Sequence, residues 1–245
     1  MIHLIKSKYI IGIILKNVKS KIKLNILRNN RKLKELLGVK LKDYQQYLPL
    51  KELNNLFNIN IEDTYIEELN LSRKNIKNNQ LKYLSRVEFD ELKKLDLSEN
   101  ILYNINELKN IKFNNLEKLY IYNNFLSDIS MLQKLNLNNL KELDLSENNI
   151  NDLTVLANIK LEKLEKLYLS HNYISDIYIL QKIKFGKLKE LDLSKNKITS
   201  IKTLENIVMV KLNKLYLCGN DIDENSVLNS KIIDKLRNKI EYLYI

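Results

Sequence analysis

At 245 residues the chain is long enough for one elongated domain with a continuous core. Leu, Ile, Asn and Lys dominate, with 4 Gly, 1 Pro and no Trp, which argues against a turn-rich sandwich or barrel. The net charge of +11 is unevenly placed: residues 1–50 hold 12 Lys/Arg against 2 acids, Glu35 and Asp43, and the remaining 29 basic residues face 28 acidic ones.

The basic excess defines a head over residues 1–49. Ile10, Ile13, Ile14 and Val18, then Leu33, Leu36 and Leu37, recur at helical spacing among the lysines, which predicts two or three short amphipathic helices. Gly38 suits a helix C-cap, and Pro49, the only proline, is expected to mark the exit. The run Tyr9-Ile10-Ile11-Gly12-Ile13-Ile14-Leu15 is too short to span a bilayer and has no small-residue cleavage site after it, so neither a transmembrane segment nor a removed signal peptide is expected. Lys16, Lys19, Lys21, Lys23, Arg28, Arg31, Lys32 and Lys34 lie close together. They suit the solvated face of a helical cap, and equally a surface that docks an acidic partner or nucleic acid by neutralising carboxylates or phosphates.

From residue 50 the chain becomes periodic. Leu92, Leu116, Leu140, Leu164, Leu188 and Leu212 recur every 24 residues, each opening the pattern L-x-x-L-x-[LI]-x-x-N-x-[LI]. Leu95, Leu119, Leu143, Leu167, Leu191 and Leu215 take one inward position, and Leu97, Ile121, Leu145, Leu169, Leu193 and Leu217 the next, the period-two spacing of a strand with one buried face. Thirteenth in the unit stands Asn104, Asp128, Asp152, Asp176 or Ser200, each a good N-cap. Ile129, Leu132 and Leu135, like Ile177, Leu180 and Ile183, then follow at steps of three, as on a short helix or 3-10 turn facing the core. Both ends deviate. Ile66, Leu69 and Leu71 fit a looser first unit whose Asn75 comes one residue late. At the other end, Asn225–Lys239 reads as a capping helix with Val227, Leu228, Ile232, Ile233 and Leu236 as its apolar face, before a last strand over 241–245. About eight parallel strands are expected.

The motif Leu143-Asp144-Leu145-Ser146-Glu147-Asn148-Asn149-Ile150 and its five siblings resemble the leucine-rich-repeat family. That resemblance implies an α/β fold, a right-handed solenoid with parallel strands on its concave face, short helices or 3-10 turns on its convex face, and a helical N-terminal cap. It also gives the asparagines at 100, 124, 148, 172, 196 and 220 a structural task, bonding buried backbone groups where the chain leaves each strand.

The outward strand positions are the candidate binding surface. The fifth position of the unit reads Asp96, Tyr120, Asp144, Tyr168, Asp192, Tyr216, and the third reads Lys94, Lys118, Glu142, Lys166, Glu190, Lys214. Complementary neighbours alone would stabilise a sheet. Tyrosines repeated over such a face also suit protein binding, aromatic residues being favoured anchors. The pattern breaks at Tyr122 and Cys218, which replace serine, and at His171; Tyr120, Tyr122, Tyr168 and His171 are the candidate hot spot.

No catalytic constellation is evident. His3 and His171 are far apart in sequence, neither a nucleophile elbow nor a phosphate loop occurs, and one Cys offers no zinc spacing, so neither enzyme activity nor a cofactor is expected. The lone Cys218 points to a reducing, cytoplasmic setting. The expected role is a protein-interaction scaffold. A helical head before such repeats is also similar to F-box substrate receptors of ubiquitin ligases, but this head is basic and lacks their leading Leu-Pro, so no F-box residue is assigned.

Overall fold

The computed structural model describes residues 41–206 and 210–245. The lysine and arginine cluster from Lys16 to Lys34, the helices expected before residue 38, the Gly38 cap and His3 lie outside the described residues.

Helix α1, Leu41–Phe57, carries Pro49 inside it. The expectation that proline ends the head at residue 49 is therefore corrected: the helix runs straight through. An interior proline removes a backbone bond and costs about 3 kcal/mol. Here Leu50, Leu53 and Phe57 follow at steps of three and four and are all buried in the core, and three such side chains contribute roughly 1.5–3 kcal/mol each. Burial outweighs the local penalty. The helix also covers the first repeat by polar contacts: Gln46 Oε1 accepts the Glu88 N–H at 2.8 Å, and Glu52 pairs with Arg86 at 2.9 Å.

Beyond it, eight strands form one parallel sheet in chain order: β1 Glu68–Asn70, β2 Lys94–Asp96, β3 Lys118–Tyr120, β4 Glu142–Asp144, β5 Lys166–Tyr168, β6 Glu190–Asp192, β7 Lys214–Tyr216 and β8 Tyr242–Tyr244. Each is only three residues long, a single inward leucine between two outward residues, and equivalent positions pair across the sheet without a slip. The inward side chains at both leucine positions of the units of β1 to β7 are almost wholly buried, and Leu243 of β8 is partly buried. A further spine of Phe89, Phe113, Leu137, Leu161 and Phe185, spaced by 24 residues, closes the core behind them.

The returning segments are 3-10 turns at Asn78–Arg86, Asn106–Asn110, Ser130–Lys134, Thr154–Asn158 and Tyr178–Lys182, and a short helix α2 at Lys202–Asn206. Position thirteen is not the expected N-cap: Ile105, Ile129, Leu153 and Ile177, one residue later, hold that place without a side-chain cap bond, and position thirteen forms the turn leading in. Asp128, Asp152 and Asp176 each accept the backbone N–H two residues on at 2.7 Å, and Asn104 accepts that of Asn106 at 3.3 Å.

The buried asparagines form a continuous ladder between repeats. Asn148, for example, donates to the carbonyls of Ile121, Leu145 and Ser146 at 3.0, 3.1 and 3.1 Å, and its Oδ1 accepts the Leu126 N–H at 2.9 Å. Asn75 does not join it. In the looser first unit, Asn100 Oδ1 instead takes both the Lys74 and Ile76 N–H groups, at 3.0 and 2.9 Å, and Asn75 adopts a left-handed φ of 54°.

At the far end helix α3, Val227–Arg237, buries Ile232, Ile233 and Leu236. Val227 and Leu228, expected on the same apolar face, are instead 70% and 46% exposed. The inward face of the helix runs through Asn229, Ile232, Ile233 and Leu236, which puts Val227 on the opposite side and Leu228 at the edge.

Candidate partner-binding face

Two outward rows run across the strands. The first reads Glu68, Lys94, Lys118, Glu142, Lys166, Glu190, Lys214, Tyr242, and the second Asn70, Asp96, Tyr120, Asp144, Tyr168, Asp192, Tyr216, Tyr244. Register places Asp144 directly between Tyr120 and Tyr168, and Asp192 between Tyr168 and Tyr216. With strands about 4.8 Å apart, the eight span about 34 Å.

In the first row the charges answer one another. Lys94 pairs with Glu68 at 3.2 Å, Lys118 with Glu142 at 3.7 Å and Lys214 with Glu190 at 3.9 Å, while Lys166 lies in register between Glu142 and Glu190. The glutamate carboxylates also lie close to the tyrosine hydroxyls, Glu142 to that of Tyr120 and Glu190 to those of Tyr168 and Tyr216. Burial, and after it the adjoining carboxylates, push all three phenols above their ordinary value. They remain neutral donors, half-buried beside the carboxylates.

The aspartates of the second row have a local task that sequence reading did not reveal. Asp96, Asp144 and Asp192 accept the backbone N–H of Ser98, Ser146 and Ser194 at 3.0, 2.9 and 2.9 Å, fixing the turn out of the strand. The available signal was the recurrence of Asp-x-Ser in alternate units. Burial raises the Asp144 carboxyl above its ordinary value, the bonds from Ser146 oppose it, and the Asp192 and Glu142 carboxylates add to it.

The expected hot spot is brought together only in part. Tyr120 and Tyr168 share the second row. Tyr122, half-buried beyond β3, turns to the opposite neighbour: its hydroxyl donates to Glu99 Oε1 at 3.3 Å, and Glu99 also pairs with Arg73 at 2.7 Å. His171 is exposed at the turn after β5, with a φ of 56°. The same left-handed place holds Glu99, Asn123, Glu147, Lys195 and Gly219, so His171 belongs to a structural position at the rim of the face.

Three other features were missed in the sequence. A third alternating row precedes the strands, with Lys93–Glu67, Lys141–Glu117 and Lys189–Glu165 paired at 2.7, 2.8 and 2.6 Å. Tyr216 and Tyr244 stack at 4.8 Å with planes 3° apart, extending the aromatic row onto β8. On the flank, Tyr103 and Phe125, 59% and 44% exposed, stack at 5.1 Å. Among the described residues no group of His, Cys, Asp or Glu is arranged to hold a metal ion, and no helix is long and apolar enough to cross a membrane.

A family model described as leucine-rich repeat matches residues 114–178, and a second, for leucine-rich repeats in two copies, matches residues 162–206. The chain is a leucine-rich-repeat protein. Solved structures similar to this leucine-rich-repeat fold include an internalin of Listeria monocytogenes, inlF, at 22% identity and a TM-score of 0.53 over 73% of this chain and 53% of that one. Internalin C2 of the same bacterium aligns at 21% identity and a TM-score of 0.52, over 84% of this chain and 93% of that one. The PEPR1–AtPEP1 structure aligns at 21% identity and a TM-score of 0.51, over 79% of this chain and 27% of that one. The chain thus spans about half the length of the first of these, and the likeness is one of fold. No curated protein matches the sequence.

Proposed function

We propose that this leucine-rich-repeat protein is a non-catalytic scaffold that binds a partner protein on its concave face. The observation that carries the proposal is the row of half-buried tyrosines at alternate strands, in register with aspartates between them. A half-buried aromatic ring loses little conformational freedom on binding, and tyrosine is among the favoured interface anchors. Lys118, Lys166, Glu142, Glu190, Asp144 and Asp192 flank the rings as the polar surround, and Tyr122 and His171 stand at the rim. The lone, exposed Cys218 supports a reducing, intracellular setting.

The charge excess of residues 1–50 supports a second, compatible contact, between the lysine-rich head and an acidic protein or nucleic acid. Affinity capture from the native cell separates the two. Full-length protein is compared with Tyr120→Ala/Tyr168→Ala and with a truncation ending before residue 41, because helix α1 buries Leu50, Leu53 and Phe57 and must stay. Loss of the partner with the tyrosine variant alone supports the concave face. Loss with the truncation alone, in a salt-sensitive manner, assigns binding to the head.

A further inference from the structure

The two outward rows differ in how their charge is met. Each glutamate of the first row has a lysine within 4 Å or in register beside it. Among the described residues no ion pair reaches Asp96, Asp144 or Asp192. Each binds its serine N–H through Oδ1, which leaves the second carboxylate oxygen for another group. The unmatched negative charge alternates with tyrosine rings, and one of these rings already takes a cation: Lys94 Nζ sits 5.6 Å from the centre of Tyr120.

Building on the concave-face reading above, we propose that the face takes a proline-rich, arginine-bearing segment of a partner protein in the polyproline II conformation. The segment runs across the strands, with prolines on Tyr120, Tyr168 and Tyr216 and guanidinium groups at Asp96, Asp144 and Asp192. Spacing selects this conformation. Successive aspartates are two strands, about 9.6 Å, apart. A polyproline II helix repeats every three residues, about 9.3 Å, so it drifts by only about 0.6 Å across the three aspartates. Two turns of α-helix advance about 10.8 Å and overshoot each interval by about 1.2 Å. In an extended strand, side chains on one face recur every ~6.7 Å and miss the second aspartate by about 3 Å.

The chemistry agrees with the spacing. Aromatic grooves receive proline because its conformation is already set, and a guanidinium can bond a carboxylate while stacking on a neighbouring ring. Lys118 and Lys214 of the first row stand two residues away along the strand, about 6.7 Å, and are turned to their glutamates. The occupant is not this chain's own basic head, because the sequence holds a single proline, Pro49, which lies within helix α1.

The test titrates the full-length protein, by calorimetry at moderate salt, with a peptide of four Arg-Pro-Pro triplets. A peptide of the same composition with its arginines in one block, and one with glutamate in place of arginine, serve as controls. The triplet peptide is expected to bind at least about tenfold more tightly than the block peptide, and the glutamate peptide not at all. Asp144→Asn/Asp192→Asn keeps Oδ1 to accept the serine N–H groups, so the turns are preserved, and it is expected to weaken the triplet peptide about tenfold. Equal affinity for the two arginine peptides, or indifference to the aspartate variant, overturns the proposal. A partner captured through Tyr120 and Tyr168 that the triplet peptide does not displace overturns it too, while leaving the concave-face scaffold intact.

Discussion

Asn148→Ala should be among the most damaging single changes in the solenoid that leave its apolar core untouched. Three carbonyls, those of Ile121, Leu145 and Ser146, share the two hydrogens of the side-chain amide, and Oδ1 satisfies the Leu126 N–H, all in a site almost closed to water. The change therefore removes about three full hydrogen bonds. Each group left buried and unpaired costs about 1–3 kcal/mol, and carbonyls with a second bond suffer least, so the loss should fall at roughly 3–5 kcal/mol. Because the bonds join one repeat to the last, coupling along the array should weaken as well, seen as a shallower urea transition by circular dichroism. Asn149→Ala, at the exposed position next along, is the control. A loss below about 1 kcal/mol for Asn148→Ala, or one no larger than the control's, would refute the ladder as a source of stability.

The Asp144 carboxyl is held above its ordinary value, chiefly by burial, so folding favours its protonated form; stability from this site is present at low pH and lost as pH rises through the folded value. Asp144→Asn should accordingly unfold at a higher urea concentration than the native protein at pH 7, with the difference fading as the pH drops below about 4. Gly219 has a φ of 71°, and a Cβ there would meet Lys195 Cγ at 3.2 Å, so Gly219→Ala should cost about 1–2 kcal/mol in the same assay. Ser98 Oγ is buried without a partner while Ser194 Oγ donates to Asp192 at 2.6 Å. Ser98→Ala should be neutral or mildly stabilising in thermal unfolding, whereas Ser194→Ala should lose about 1 kcal/mol.

What the amino-acid sequence made legible was whatever repeats at a fixed interval. The inward leucines and the asparagine ladder recur every 24 residues, and each stands where that recurrence put it. Pro49 was misread because its local penalty was weighed without the burial of Leu50, Leu53 and Phe57 around it, a tertiary gain that local rules omit. Val227 lies about 140° around the helix from Ile232, and Leu228 at the edge of the face that Asn229, Ile232, Ile233 and Leu236 bury, so neither is directed at the core. The left-handed position of His171 went unrecognised because four of its five equivalents carry side chains and only Gly219 hints at the geometry. On the candidate face, the rows themselves were visible. Their division of labour was not, since it rests on which atom meets which: glutamates answering lysines, aspartates answering serines and otherwise left open. Tyr244 escaped because an interval of 28 residues separates Tyr216 from it, outside the regular frame, although the two rings stack.

Hydrogen–deuterium exchange on the complex with the captured partner tests the interaction face most directly. Binding on the concave side predicts slowed exchange in the backbone of strands β3 to β7 and the turns just after them, between residues 118 and 220, with the convex turns Ser130–Lys134, Thr154–Asn158 and Tyr178–Lys182 unchanged. Protection confined to those convex turns, with the strands exchanging as in the free protein, would contradict it.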